Sequence, residues 1–209
     1  VEAAMRVPTV EQIGQLLAHA DSNRVSTRHG FRAYVALCAF AGLRKGEAAG
    51  VQVGDIDFVR RQLAVSRQLQ RHGNTYAVRL PKYGSERIVH LPEDLVEMLR
   101  SHIATYLPDA SPERWLFTVR DGPMYDNDID WRWRETRKSA GLPHVRLHDL
   151  RHFYASGLIA AGCDVVTVQR ALGHSSATTT LNTYSHLWPT AEDRTRAAAA
   201  DLMRDSLMT

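Results

Sequence analysis

Apolar residues recur three and four apart through most of the chain, and two apart in one central stretch. Ile13, Leu16, Leu17 and Ala20 follow Thr9, which suits an N-cap, with Glu11 and Gln12 in the first turn, and they predict a helix. A second helix is expected from about Thr27 through Cys38, ending near Gly42, and a short third from about Arg44. The period then changes. Strands are expected over 62–69, 76–80 and 87–91, with turns at His72-Gly73-Asn74 and Tyr83-Gly84-Ser85. This reads as a small antiparallel meander with Lys82 at its second turn. Pro92 restarts helix to about Tyr106, and 108–123 is mostly loop around an apolar Trp115-Leu116-Phe117. Helices follow over roughly 128–140 (closed by Gly141-Leu142-Pro143), 148–161, 165–172 and 177–187. Pro189 breaks the chain before a last Ala- and Arg-rich helix over 191–207. No internal repeat is present. The fold class is α+β, mostly α-helical with a small three-stranded antiparallel sheet, and nothing forces a second domain.

Composition narrows the classes. The 209 residues are 44% hydrophobic and 23% charged, which excludes a wholly disordered chain. The longest apolar run, 33–43, falls short of the roughly 20 residues of a spanning helix, so no membrane partner is expected. A net charge of +3 permits a nucleic-acid partner without demanding one. Cys38 and Cys163 make neither a disulfide framework nor a zinc ribbon, Cys38 reads as a small core residue, and a reducing, cytoplasmic location is expected. No signal peptide opens the chain, and a start at Val1 rather than Met reads as a piece cut from a longer protein.

Three polar clusters carry candidate chemistry. In Leu147-His148-Asp149-Leu150-Arg151-His152, His148 shares a helical face with Arg151 and His152. His144, His148 and His152 also stand four apart, the spacing of a helical metal pair. However, Gly141-Leu142-Pro143 leaves His144 ahead of the helix and no Glu or Cys stands at ligand spacing, so no metal site is expected. In Gly42-Leu43-Arg44-Lys45-Gly46-Glu47, Arg44 follows directly on a buried helix, with Glu47 at i+3. Leu172-Gly173-His174-Ser175 precedes Thr183-Tyr184-Ser185-His186 by about ten residues. Each cluster alone has an ordinary reading as a helix end or a solvated face.

Taken together they do not. The pieces GLRKGE (42–47), LPKYGSERIVHLP (80–92), LHDLRHFYASGLIAAG (147–162), VQRALGHSS (168–176) and TTTLNTYSHL (178–187) come in order. In them the sequence resembles the catalytic domain of tyrosine recombinases, the phage-integrase family of DNA breaking-and-rejoining enzymes. The resemblance spans essentially the whole chain and implies one catalytic domain over 1–209, without the N-terminal DNA-binding domain that family members usually carry. It places the family's catalytic positions on Arg44, Lys82, His148, Arg151, His174 and Tyr184, with Glu47, Asp149 and His152 as supporting residues.

The implied function is site-specific recombination, for integration or excision of a phage or mobile element. Tyr184 would attack a DNA phosphodiester and form a 3′-phosphotyrosine bond, with a 5′-hydroxyl leaving. His148 is the expected base and Lys82 the expected acid; Arg44, Arg151 and His174 would meet the phosphate charge. No nucleotide cofactor is required, because the covalent link conserves the bond energy, and Arg44 and Arg151 would fill the role that elsewhere often falls to a metal ion. The implied partners are double-stranded DNA, a homo-tetramer on DNA with possible exchange of helix 191–207 between protomers, and possible accessory DNA-bending proteins, in a cytoplasmic, nucleoid-associated setting. Arg60, Arg61, Arg67, Arg71 and Arg79 could line one backbone-contacting face. A type IB topoisomerase and a DNA-binding regulator on a decayed recombinase domain share parts of this pattern. The short interval from LGHSS to Tyr184 and the HDLRH spelling favour the recombinase, and the complete set of catalytic types argues against decay.

Overall fold

The computed structural model describes residues 5–22, 30–72, 75–81, 84–120 and 122–208. Helix α1 (Val10–His19) opens with a reciprocal cap: Thr9 Oγ1 accepts from the Gln12 amide and Gln12 Oε1 from the Thr9 amide. Helix α2 (Phe31–Phe40) is buried on nearly every side, as an all-round apolar sequence requires. It starts later than expected; the expected first residues, 27–29, lie outside the described residues. Around it pack α1, the short α3 (Lys45–Ala49), α4 (Glu93–Tyr106) and α6 (Asp149–Ala160). Helix α5 (Asp126–Ser139) lies against α1. Helices α7 (Val165–Leu172), α8 (Ala177–Tyr184) and α9 (Ala191–Leu207) complete the chain, with a single 3-10 turn over Ser185–Leu187 ending α8.

The strand region departs from a single meander. The three-stranded sheet is β1 (Ile56–Asp57), β2 (Gln62–Val65) and β5 (Arg87–His90), antiparallel throughout. A separate hairpin joins β3 (Gln68–His72) to β4 (Thr75–Arg79). The expected strand 62–69 is thus broken at Ser66-Arg67 and its halves serve two sheets. The cause is the close approach of α3. A Cβ on Gly46 would stand 2.5 Å from the Leu69 carbonyl oxygen, and one on Gly50 3.2 Å from Arg67 O. Two glycines let the helix sit on the backbone there, while Arg67 turns away to Asp55 and Gly50 O. A further two-stranded ladder, β6 (Thr118–Val119) with β7 (Gly122–Pro123), lies within the expected loop.

The five arginines expected to share one face are spread over two separate sheets and the turns beside them. Arg60 pairs with Asp57 at 3.1 Å, Arg61 with Glu93 at 2.6 Å, and Arg67 with Asp55; Arg71 and Arg79 stand on the separate hairpin. The Tyr76 ring stacks on Tyr125 at 4.0 Å and ties that hairpin to the start of α5.

Two apolar clusters result. The main one surrounds α2, and a smaller one joins Ala155, Ile159, Val168, Leu172 and Tyr184. Helix α6 contributes to both, Leu150 to the first and Ala155 to the second. Of the four residues between them only Arg151 is buried, at the seam of the two. Cys38 is buried in the main cluster, and both cysteines are free. Among the described residues no helix is long and apolar enough to cross a membrane.

Candidate active site

Arg151 is only 2% exposed, so its charge must be met by the protein. Its Nη1 donates to Gly42 O at 2.5 Å and its Nη2 to Leu172 O at 2.6 Å. These carbonyls end α2 and α7, and the guanidinium therefore clamps the two apolar clusters together. Gly42 can present its carbonyl because it adopts φ +65°; a Cβ there would lie 2.4 Å from the Tyr154 ring. Burial first, then the Arg44 charge, lowers the Arg151 pKa to about 9, which still leaves it cationic at neutral pH.

Arg44 is the N-cap residue of α3. Its Nη1 donates to Glu47 Oε1 at 2.6 Å and to Ser85 Oγ at 3.2 Å. Glu47 has a fully buried side chain and also accepts from Arg87, Nη2 to Oε2 at 3.0 Å and Nη1 to Oε1 at 3.2 Å. Burial alone would raise its pKa, but hydrogen bonds and charge from Arg87 and Arg44 win and pull it down to about 2. Arg87 reaches further, its Nε donating to Ala171 O at 2.9 Å. One carboxylate thus ties α3, β5 and α7 together behind Arg44.

Sequence reasoning missed Arg87. The signal was present: Arg87, Val89 and Leu91 stand two apart and share one face of the β5 segment, so a charged residue occupies an inward position and needs a buried partner. Ser85 was placed only in a turn; here its hydroxyl accepts from Arg44.

His174 follows the α7 C-cap Gly173 (φ +64°), and its Nδ1 lies 2.9 Å from Thr180 Oγ1. Burial, then Arg151 and Arg44, pushes its pKa down to about 4. His148 caps α6 and keeps one side open to solvent; desolvation by the protein on its other side, then His152 and Arg151, pushes it to about 4. Asp149 stands behind the cavity wall rather than on it. Its buried carboxylate accepts from the Arg146 amide at 2.8 Å and Nε at 3.0 Å, and so shapes the turn that delivers His148. Tyr184 is 2% exposed at the last turn of α8, its hydroxyl 2.8 Å from His152 Nδ1. Burial raises its pKa, against a downward pull from Arg151 and Arg44.

Arg44, His148, Arg151, His152, His174 and Tyr184 line one cavity of about 480 Å³. Its other lining residues carry no carboxylate. Two guanidinium forks, three imidazoles with lowered pKa values and a phenol fit a singly charged tetrahedral anion. Of the expected residues, Lys82 lies outside the described residues, and Glu47 and Asp149 support the wall without lining it. The imidazole touching the Tyr184 hydroxyl is His152; among the described residues His148, the expected base, makes no hydrogen bond to it.

The profile of the phage integrase family matches residues 6–190. The chain belongs to the phage integrase family. It is 31% identical over 183 residues to a protein named tyrosine recombinase XerC-like from Caldanaerobacter subterraneus subsp. tengcongensis, covering 77% of this chain and 46% of that protein. It is 27% identical over 181 residues to the ICEBs1 integrase of Bacillus subtilis, covering 83% of this chain and 49% of that one. The integrase-family chain thus spans about half the length of these relatives. Among solved structures, the Tn1549 transposon integrase in complex with circular intermediate DNA superposes with TM-score 0.77 at 25% identity, covering 96% of this chain and 68% of that one. The catalytic domain of bacteriophage HP1 integrase superposes with TM-score 0.61 at 20% identity, covering 90% and 92%. The fold is the tyrosine-recombinase catalytic-domain fold.

The buried Glu47 gives a pH signature. Its folded pKa lies below the unfolded value near 4.5, so its stabilisation is complete above pH 4.5 and is lost as pH falls towards 2. The amount is on the order of 3 kcal/mol. His148 and His174 are lowered as well, so their stabilisation is lost earlier, as pH falls from 6.5 towards 4. Urea unfolding should show stability falling through both windows. Glu47→Gln should be weaker at pH 7 and fall less steeply below pH 4.5, keeping the upper window; an unchanged lower window would contradict the buried ion pair.

Proposed function

We propose that this chain cleaves and rejoins DNA strands as the catalytic domain, over 1–209, of a site-specific recombinase acting in integration or excision of a phage or mobile element. The observation that carries the reading is a buried phenol, Tyr184, on the wall of a carboxylate-free cavity held by Arg44 and Arg151. Membership of the phage integrase family, and relatives named as integrases and recombinases, support it.

The arrangement of Arg44, Arg151, His174 and Tyr184 supports the following mechanism, and the role of Lys82 in it is the one the family resemblance implies. A backbone phosphate enters between the two guanidiniums, which supply fixed, paired donors as negative charge builds on the non-bridging oxygens. His174, held through Nδ1 by the Thr180 hydroxyl, presents its Nε2–H as a third donor. The Tyr184 oxygen attacks phosphorus, the bond to the 5′-oxygen breaks, and a 3′-phosphotyrosine remains. Lys82 supplies the proton to the leaving oxygen. A 5′-hydroxyl from another strand then reverses the step.

The substrate is double-stranded DNA, and the assembly on it is a homo-tetramer, with accessory DNA-bending proteins as further partners in the cell's nucleoid. Helix α9 supports the assembly: Leu202, Met203 and Leu207 are 70%, 66% and 75% exposed, apolar side chains available to pack in a neighbouring protomer.

The test is a nicked suicide duplex, from which the severed 5′ fragment is lost and religation fails. The expected result is a denaturation-resistant protein–DNA band, joined at the 3′ phosphate, formed equally in EDTA. A strict need for Mg²⁺ would overturn the arginine-based scheme. Relaxation of supercoiled DNA at no preferred sequence would identify a topoisomerase instead.

A further inference from the structure

We infer that His152 is the group that takes the proton from the Tyr184 hydroxyl during cleavage. The inference rests on the reading of Tyr184 as the nucleophile. Position comes first in choosing a base. His152 Nδ1 lies 2.8 Å from Tyr184 Oη, within reach of direct transfer. The His148 ring stands edge-on behind His152, centroids 4.8 Å apart, and among the described residues makes no hydrogen bond to that oxygen. Tyr184 is nearly sealed from solvent, so water has little room to act in place of His152.

The surroundings suit a neutral acceptor. His148, Asp149, Arg146 and Arg151 face His152 from its own helix and the preceding turn, Tyr184 faces it from α8, and Arg44 and His174 stand across the cavity. Burial lowers the His152 pKa, and Arg146 and Arg151 add to this against Asp149. The ring is therefore unprotonated at neutral pH. With Nδ1 accepting from the phenol, its single ring proton is on Nε2. A phosphate between Arg44 and Arg151 offsets their charge, which favours the imidazolium at the moment it forms.

The step balances. The Tyr184 O–H bond breaks and its proton goes to His152 Nδ1 as the oxygen bonds to phosphorus. The bond from phosphorus to the 5′-oxygen breaks, and that oxygen takes a proton from Lys82. On religation His152 returns its proton to the departing phenolate.

The experiment uses the 209-residue chain and nicked duplexes selected from random sequence by their binding to it. Single-turnover adduct rates are measured from about pH 5 to 9, across the histidine range. A second duplex carries sulfur at the bridging 5′ position; its leaving thiolate needs no proton, which separates base from acid. His152→Asn keeps an amide near the Nδ1 position, able to hold the phenol but not to take its proton. It should slow adduct formation by at least about 100-fold on both duplexes and remove the acidic limb of the pH profile. His148→Asn should retain that limb.

A His152→Asn rate within about threefold of the unmutated chain, or a limb that disappears with His148→Asn instead, overturns the inference. An adduct that survives Tyr184→Phe, or its absence from the unmutated chain, overturns the underlying reading of function. Should His152→Asn fail to fold, ring-nitrogen NMR of the unmutated chain decides. The expected tautomer carries its proton on Nε2, with an Nδ1 signal that moves in Tyr184→Phe; a proton on Nδ1 overturns the inference.

Discussion

Tyr184→Phe should leave a folded, DNA-binding protein that forms no covalent adduct. The ring packs with Ala155, Ile159, Val168 and Leu172, and phenylalanine keeps those contacts. Only the hydroxyl is lost, and with it the hydrogen bond to His152, for a stability change of about 1 kcal/mol. Chemically the loss is complete. Removing a covalent nucleophile costs on the order of 10⁶-fold, which takes the adduct below detection on a gel. The substitution discriminates because other hydroxyls are close: Ser175, Thr179 and Thr183 line the same cavity, and the half-buried Tyr154 stands against Gly42. A residual adduct would assign the attack to one of these. Gel shift with the same duplex measures binding, and retention of binding separates lost chemistry from lost fold.

Arg151→Lys should reduce the single-turnover cleavage rate by about 10²- to 10³-fold, the usual cost of one preorganised transition-state donor. Two effects combine. The planar fork offers donors to Gly42 O and Leu172 O with others left to face the cavity, whereas an ammonium concentrates its charge at one point. At least one of the carbonyls then loses its partner at the seam of the two apolar clusters, which destabilises the fold by about 1–3 kcal/mol. Rates should therefore be taken at a temperature where circular dichroism shows the variant folded. Near-normal cleavage there would remove Arg151 from the phosphate, while loss of fold with normal chemistry would leave it a purely structural clamp.

Much of the helical frame was legible because helices are local. The 3.6-residue period, Asp164 and Ser176 as caps and Gly173 as a stop set α7 and α8 with little help from distant residues. The chain's expectation for α7, 165–172, and for α9, 191–207, is what the structure shows. The strand region was less legible because pairing is not local. The alternation of Leu63 and Val65 would place Arg67 inward, and that lapse in phase was the one sequence sign of the break at Ser66-Arg67. Why the break falls there depends on α3 seated on the backbone through Gly46 and Gly50, a contact between elements about twenty residues apart.

The site divides in the same way. By itself the sequence determined which residue types are present, their order, and the family pattern that singles out Arg44, Lys82, His148, Arg151, His174 and Tyr184, since spacing along the chain and the chemistry of each side chain are written in it. Tertiary structure alone decided which partners they have. It placed Arg87 on Glu47 behind Arg44, Arg151 across the carbonyls of two helices, Asp149 on a backbone turn, and His152 on the Tyr184 hydroxyl. Hydrogen bonds fall off within a few tenths of an ångström, so a choice between His148 and His152, one helical turn apart on the same face, is made only when α8 is packed against α6.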